Sequence, residues 1–232
     1  MNGRVIRPEW LDEMEPHETR RPLRELVLIN RFLGGHKVLR RTMAALEIPA
    51  SERFTFLDVG SATGDMGRCV REQYPQAQVT SLDHRFLHLQ GAGKPCVCGD
   101  AFAMPFRPGS FDFVHCSLFL HHFQDSEVVS LLRSFGAIAR RAVIVSDLER
   151  HPLPYFFMPA TWWLFRWSRA SMHDGPISVE AAFHAKELKV LAEAAGLVNV
   201  NVQRHRPAFR VSMIAGTRAI SPAPLQKCSD YS

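Results

Sequence analysis

The sequence predicts a doubly wound α/β domain, and three observations predict it. The apolar run 54–59 breaks into a glycine turn and resumes as an amphipathic helix over 64–74. Further strand-like runs then alternate with helical periodicity through the rest of the chain. A second strand, 77–83, ends in an acid, Asp83, 25 residues after the acid Asp58 inside the first strand. In folds of this kind a turn that follows a parallel strand sits at the carboxyl edge of the sheet, where nucleotide-like ligands bind.

The turn carries most of the chemistry. Residues 54–65 read Phe-Thr-Phe-Leu-Asp-Val-Gly-Ser-Ala-Thr-Gly-Asp. Glycine lacks Cβ and accepts positive φ, so a ligand can lie against the backbone. The unpaired N–H groups of the helix start suit a carboxylate or phosphate. A dinucleotide fingerprint counted from Gly60 needs glycine at 62 and 65, where the chain has Ala62 and Asp65. The spacing acid-x-G-x-G-x-G is met by Asp58, Gly60 and Gly64. Ala62 takes the middle position, where a Cβ disfavours positive φ. On these residues the segment resembles the first motif of the class I S-adenosylmethionine-dependent methyltransferases.

Before the turn, Leu23, Leu26, Val27, Asn30, Leu33 and Val38 mark a helical stripe over 22–39. Gly34-Gly35 divides it into two helices or a kinked one. In the resembled family, helices here often form a lid, so residues 1–45 are expected to be a helical cap. Deleting 1–30 is then expected to cost ligand binding more than folding. Residues 96–98 read as a third strand, with Cys96 and Cys98 on one face as packing residues. The segment 110–116 reads as a fourth strand and is followed by Ser117-Leu-Phe-Leu-His121-His122-Phe. That stretch resembles the fourth-strand motif of a small-molecule subgroup that includes quinone-biosynthesis enzymes. A helix is expected over 126–139, closed by Arg140-Arg141. A buried fifth strand, 142–146, follows it and carries Asp147 at its tip. A helix over 184–195 stops at Gly196, and strands at 198–203 and 209–215 complete seven. The resemblance makes the last pair the antiparallel end of a Rossmann-like seven-stranded sheet. One methyltransferase domain is expected over 1–216, with a disordered tail over 217–232.

The resemblance implies a site. Asp58, Gly60, Ser61 and Gly64 would surround the methionine end of S-adenosylmethionine. Asp83, with His84 beside it, would take the ribose. Asp100 and Ala101 would take the adenine, whose N6 donates to a carboxylate. Ser117 and Leu118 would lie near the sulfonium. An N-cap role for Asp83 stands beside the ribose role. His121 or His122 is the candidate general base, since an imidazole titrates near neutral pH. A helix-start or packing role for the pair is the rival reading. No metal is expected, because adjacent histidines rarely chelate one ion.

The segment 148–180 is too aromatic for a solvated connection. It is expected to form a cap insertion whose Tyr155, Trp162, Trp163 and His173 line an apolar acceptor pocket, with a membrane surface as a further contact. Residues 171–176, Ser-Met-His-Asp-Gly-Pro, read as a turn, and the role of His173-Asp174-Gly175 is not assigned by chemistry.

Composition bounds these readings. The chain has 232 residues, 46% of them apolar, enough for one packed α/β domain. The net charge of +5 is a mild basic bias with no long cationic block, so nucleic acid is not the expected partner. Five irregularly spaced cysteines fit reduced thiols and a cytoplasmic protein. No signal-like h-region and no apolar run of membrane-spanning length is read. The expected reaction is methyl transfer from S-adenosylmethionine, leaving S-adenosylhomocysteine, to a small apolar or aromatic acceptor. O-methylation of a phenolic, quinone-like or polyketide compound comes first and C-methylation second. An NAD-dependent oxidoreductase and a non-catalytic adenosyl-binding protein are the other classes. The acceptor and the oligomeric state are not read from the sequence.

Overall fold

The computed structural model describes residues 3–15 and 17–217. The tail expected to be disordered lies, from 218 on, outside the described residues. The strands are β1 (Phe54–Val59), β2 (Ala77–Asp83), β3 (Cys96–Cys98), β4 (Phe111–Ser117), β5 (Ala139–Leu148), β6 (Val198–His205) and β7 (Arg210–Gly216). They form one sheet in the order β3-β2-β1-β4-β5-β7-β6. Pairing is parallel from β3 to β5, and β7 runs antiparallel to both β5 and β6. The doubly wound seven-stranded architecture is therefore as expected. The chain steps outward from β1 to β3 and then returns to β4 on the other side of β1. The topological switch point thus lies between β1 and β4.

The period-two alternation of β1 sorts its side chains between two cores. Phe54 and Phe56 pack with α3 (Gly35–Ala44) and α4 (Asp65–Gln73), through Leu39, Met43, Met66 and Val70. Leu57 and Val59 belong to the opposite layer, with α5 (Asp125–Ile138) and α8 (Ala185–Ala194). With both faces covered, β4 and β5 carry near-continuous apolar runs. The N-terminal segment forms α1 (Trp10–Glu13), α2 (Arg20–Phe32) and α3, with Gly34 at φ 93° between the last two; α3 packs on the sheet beside α4 and so belongs to the core layer, not to the cap expected over 1–45. The insertion after β5 is a helix pair, α6 (Pro152–Phe165) and α7 (Arg169–Ala181).

Three further expectations are corrected. Arg140 and Arg141 do not close α5, which ends at Ile138; both lie in β5, which starts three residues earlier than expected. There they are exposed and pair with Asp112 and Glu52. Cys96 and Cys98 are half-buried and exposed, because β3 is the sheet edge and little packs on it. Residues 171–176 are not a turn but part of α7, which continues through Pro176.

Gly64 caps α4 at φ 67°, and a Cβ there would lie 2.6 Å from the Cα of Ala92. Gly64→Val adds backbone strain to a clash with main chain. It is expected to lower stability by about 3 kcal/mol or more. Urea unfolding measures this, and a loss below about 1 kcal/mol would show that the turn relaxes.

Candidate active site

The carboxyl ends of β1, β2 and β4 open into a cavity of about 1030 Å³. That is at the top of the ~300–1,000 Å³ usual for ligand pockets, ample for a nucleotide-sized ligand. The turn after β1 supplies Gly60 and Ala62 to its wall, the tip of β2 supplies Asp83 and His84, and the loop after β3 supplies Asp100 and Ala101. Ser117, Leu118, His121 and His122 come from the segment after β4.

The turn is built around Asp83. Ala62 holds φ 44° despite its Cβ, and its N–H donates to Asp83 Oδ2 at 2.9 Å. Asp83 Oδ1 accepts from the N–H of Arg85 at 3.0 Å and lies 3.3 Å from His88 Nδ1. Burial opposes ionisation of Asp83, but His88 and the two backbone N–H groups outweigh it and lower its pKa. A carboxylate with lone pairs to spare therefore stands at the strand tip, able to accept from vicinal hydroxyls. Asp100 is exposed and accepts from the N–H of Phe102, which bends the loop and leaves Ala101 on the cavity wall. Ser117 lines the wall, and its hydroxyl has no protein partner.

Three of the expected cofactor residues are not on the wall. Asp58 is fully buried beneath the turn and binds His115 Nδ1 through Oδ1 at 2.8 Å. Ser61 is buried, and Gly64 packs against Ala92. These three shape the turn rather than its surface. At Gly60 the ring of Phe119 fills the space that a Cβ would occupy, within 2.4 Å.

The acceptor side is also corrected residue by residue. Tyr155, Trp162, Trp163 and His173 do not line the cavity; α6 turns Phe157 and Met158 inward instead, and Leu153 and Pro154 complete its contribution. Trp162 and Trp163 point outward, 53% and 74% exposed. Composition identified the aromatic segment, but an all-apolar helix carries no periodic signal to say which side faces in. From α7, Asp174, Gly175 and Ser178 reach the wall. The His173-Asp174-Gly175 motif acquires a structural role. Asp174 accepts from the N–H groups of Trp10 and Leu11 at the start of α1, at 2.9 and 3.1 Å. His173 stacks on Trp10 with ring centroids 4.0 Å apart. Gly175 admits Met158 Sδ to within 2.4 Å of where a Cβ would stand.

This docking explains Glu9, which the sequence analysis missed. Arg4 anchors the N-terminal strap over the Phe183 ring and donates to the carbonyls of Ala181 and Phe123. The strap brings Glu9 to the histidine pair, 3.5 Å from His121 Nε2 and 3.8 Å from His122 Nε2. On its other side His121 binds Asp147 through Nδ1 at 2.6 Å. Burial opposes a charge on His121, yet Asp147 and Glu9 together raise its pKa to about 10. Asp147 and Glu9 are lowered against their own burial, chiefly by His121 and His122 respectively. At neutral pH His121 is therefore a buried imidazolium between two carboxylates and holds no lone pair for a proton. The structure bears on the expectation that adjacent histidines rarely chelate one ion. Glu9, His121 and His122 bring three donor atoms within 4.8 Å of one another, a set that could hold a metal ion. Charge pairing by itself accounts for the arrangement. No local pattern reveals Glu9, since His121 and His122 lie 121 − 9 = 112 and 122 − 9 = 113 residues downstream.

A second buried network fastens the cap to the turn. Asn30 donates to Asp65 at 3.1 Å, His36 Nε2 lies 2.9 Å from the same carboxylate, and Arg210 donates to Asn30 Oδ1 at 3.2 Å. Glu25 accepts from Ser168 and Ser171, tying α2 to α7.

Comparison with known proteins agrees with this geometry. Residues 57–141 match the family model described as "Methyltransferase domain". A malonyl-[acyl-carrier protein] O-methyltransferase of Gallionella capsiferriformans is 34% identical over 96 residues, which cover 35% of this chain and 33% of that protein. A demethylmenaquinone methyltransferase of Deinococcus radiodurans is 34% identical over 109 residues, 42% and 45% of the two chains. The chain thus spans between a third and a half of the length of these curated relatives. The structure of a SAM-dependent methyltransferase from Aquifex aeolicus superposes with a TM-score of 0.60 at 16% identity, covering 88% of this chain and 100% of that one. The fold is the class I methyltransferase fold.

Proposed function

We propose that this chain, which carries a methyltransferase domain over residues 57–141, transfers the methyl group of S-adenosylmethionine to a small apolar acceptor. The observation that carries the reading is Asp83. It is an ionised carboxylate at the tip of β2, held against the glycine turn by the N–H of Ala62, on the wall of a cavity ample for a nucleotide-sized ligand. Gly60 and Ala62 would face the methionine end, Asp83 and His84 the ribose, Asp100 and Ala101 the adenine, and Ser117 and Leu118 the reacting centre. Asp58, Ser61 and Gly64 would support these from beneath.

The cofactor brings an already activated methyl on its sulfonium. The chain's task is then to align an acceptor atom in line with that methyl and to exclude water. Phe119, Phe157 and Met158 supply apolar wall for this. Where the acceptor must lose a proton, His122 is the better base candidate of the pair, because His121 is held as an imidazolium. His122 lines the cavity and is one-quarter exposed. O-methylation is the first reading. C-methylation is the second, since the relatives' names divide between an O-methyltransferase and a demethylmenaquinone methyltransferase.

Calorimetric titration with S-adenosylmethionine, S-adenosylhomocysteine and NAD tests the cofactor. Micromolar binding of the first two and none of NAD is expected. NAD binding alone would overturn the reading. Mass spectrometry of products from phenolic and quinol acceptors then separates O- from C-methylation.

A further inference from the structure

We propose that α6 is an interfacial helix that docks the protein on an anionic lipid bilayer, so that the acceptor cavity opens beneath the membrane surface. The docking goes beyond methyl transfer and does not depend on it; only the route of an acceptor into the cavity rests on the proposed function.

All fourteen residues of α6 are uncharged, and none of them is buried. Phe157 and Met158 face the cavity, while Phe156, Trp162, Trp163 and Leu164 are 61%, 53%, 74% and 58% exposed. A helix apolar on every side is normally covered on every side. Here the cavity wall accounts for one side and solvent covers the other. Contiguous apolar surface of this kind on a monomer marks a site of association. The α2 helix adds Leu28 and Phe32, 47% and 70% exposed.

The charges around the helix select the occupant. Residues 150–173 contain no acid, and Arg166 and Arg169 are exposed where α6 passes into α7, whereas Arg150 is buried against Glu187. Residues 19–46 contain seven Lys or Arg against a single acid, Glu25, which is buried and holds Arg21, Ser168 and Ser171, while Arg40 pairs with Glu72 of α4. Arg21 donates to the carbonyl of Arg166, which brings the cationic start of α2 to the same end of α6. A second copy of this chain would meet that collar with a like-charged one, whereas an anionic bilayer complements it. Paired tryptophans suit the headgroup region, where one edge of the ring is apolar and the other wet. Among the described residues no helix is long and apolar enough to cross a membrane, so the contact is with one leaflet. An apolar acceptor dissolved in that leaflet would reach the cavity past α6 without crossing water.

The test is flotation of the full chain with vesicles of phosphatidylglycerol and phosphatidylcholine, or of phosphatidylcholine alone, with tryptophan emission recorded in parallel. Binding to the anionic vesicles with a blue shift, weakened by salt and at least tenfold weaker on phosphatidylcholine, is expected. Phe156→Ser/Leu164→Ser should lose at least tenfold in vesicle affinity while keeping the circular dichroism and urea-unfolding midpoint of the parent, which shows that it is folded. Absence of binding to anionic vesicles, or equal binding by the double variant, overturns the proposal. So does a lipid-free dimer in sedimentation that the double variant breaks into monomers, because α6 would then be covered by its own copy.

Discussion

Asp147→Ala is expected to lower stability by about 3–5 kcal/mol at neutral pH, the usual cost of removing one partner of a buried ion pair. Asp147 is fully buried and is the tightest partner of His121. The pH dependence distinguishes this cause from simple loss of packing. His121 has a folded pKa raised to about 10 from 6.5. A raised pKa means that the folded state holds the proton more tightly. The resulting stabilisation is complete below about 6.5 and fades as pH rises towards 10. The parent should therefore lose stability steadily between pH 7 and 9. The variant, whose His121 is left with Glu9 alone, should follow a flatter curve that starts lower. On the acid side the order is reversed. Asp147 and Glu9 have lowered pKa values, so their contribution is present above the ordinary carboxylate range and is lost as pH falls through their folded pKa values. Urea unfolding of both proteins at pH 6, 7, 8 and 9 measures this. Parallel curves would mean that His121 is not charged in the folded protein, and would return it to consideration as a base.

Asp83→Ala is expected to weaken S-adenosylhomocysteine binding by about 1–3 kcal/mol, roughly 5- to 150-fold, the cost of leaving hydroxyl donors without their acceptor. The same substitution strands the N–H groups of Ala62 and Arg85, so a loss of thermal stability should accompany it. Asp83→Asn separates the two effects. An amide oxygen keeps one acceptor for the turn, but the side chain loses the charge and half its acceptor capacity. Affinity should fall for both variants, and melting temperature mainly for the alanine. Unchanged affinity in the asparagine variant together with a low affinity in the alanine variant would make Asp83 a scaffold for the turn alone.

Legibility followed the range over which each feature is determined. The strand, turn and helix at 54–74, the acid at the tip of β2 and the seven strand-like runs are all local patterns, and each forms the expected element, β5 with an earlier start. Period-two alternation and glycine spacing are imposed by backbone sterics, which act between neighbours and so leave a trace in the chain. The failures concern side-chain direction and distant partners. Asp58 and Asp83 looked alike as acids on adjacent strands. Yet one is sealed under the turn against His115, while the other reaches the cavity. The α6 aromatics were identifiable as a group, but which of them face inward depends on where α7 packs, and Gly175 and Met158 settle that by contact. His121 had the composition of a base, and only Glu9 from the N-terminal strap and Asp147 from β5 make it a cation.

The sequence by itself determined the doubly wound sheet, the position of the cofactor turn and the identity of the strand-tip acid, because these rest on local backbone preferences and on periodic burial. Only the tertiary structure decided which side chains meet in the cavity, what charge His121 carries and which side of α6 is left uncovered. Those are set by electrostatics and packing between different elements of the fold, some of them, like Glu9 and His121, more than a hundred residues apart, and no spacing along the chain encodes such contacts.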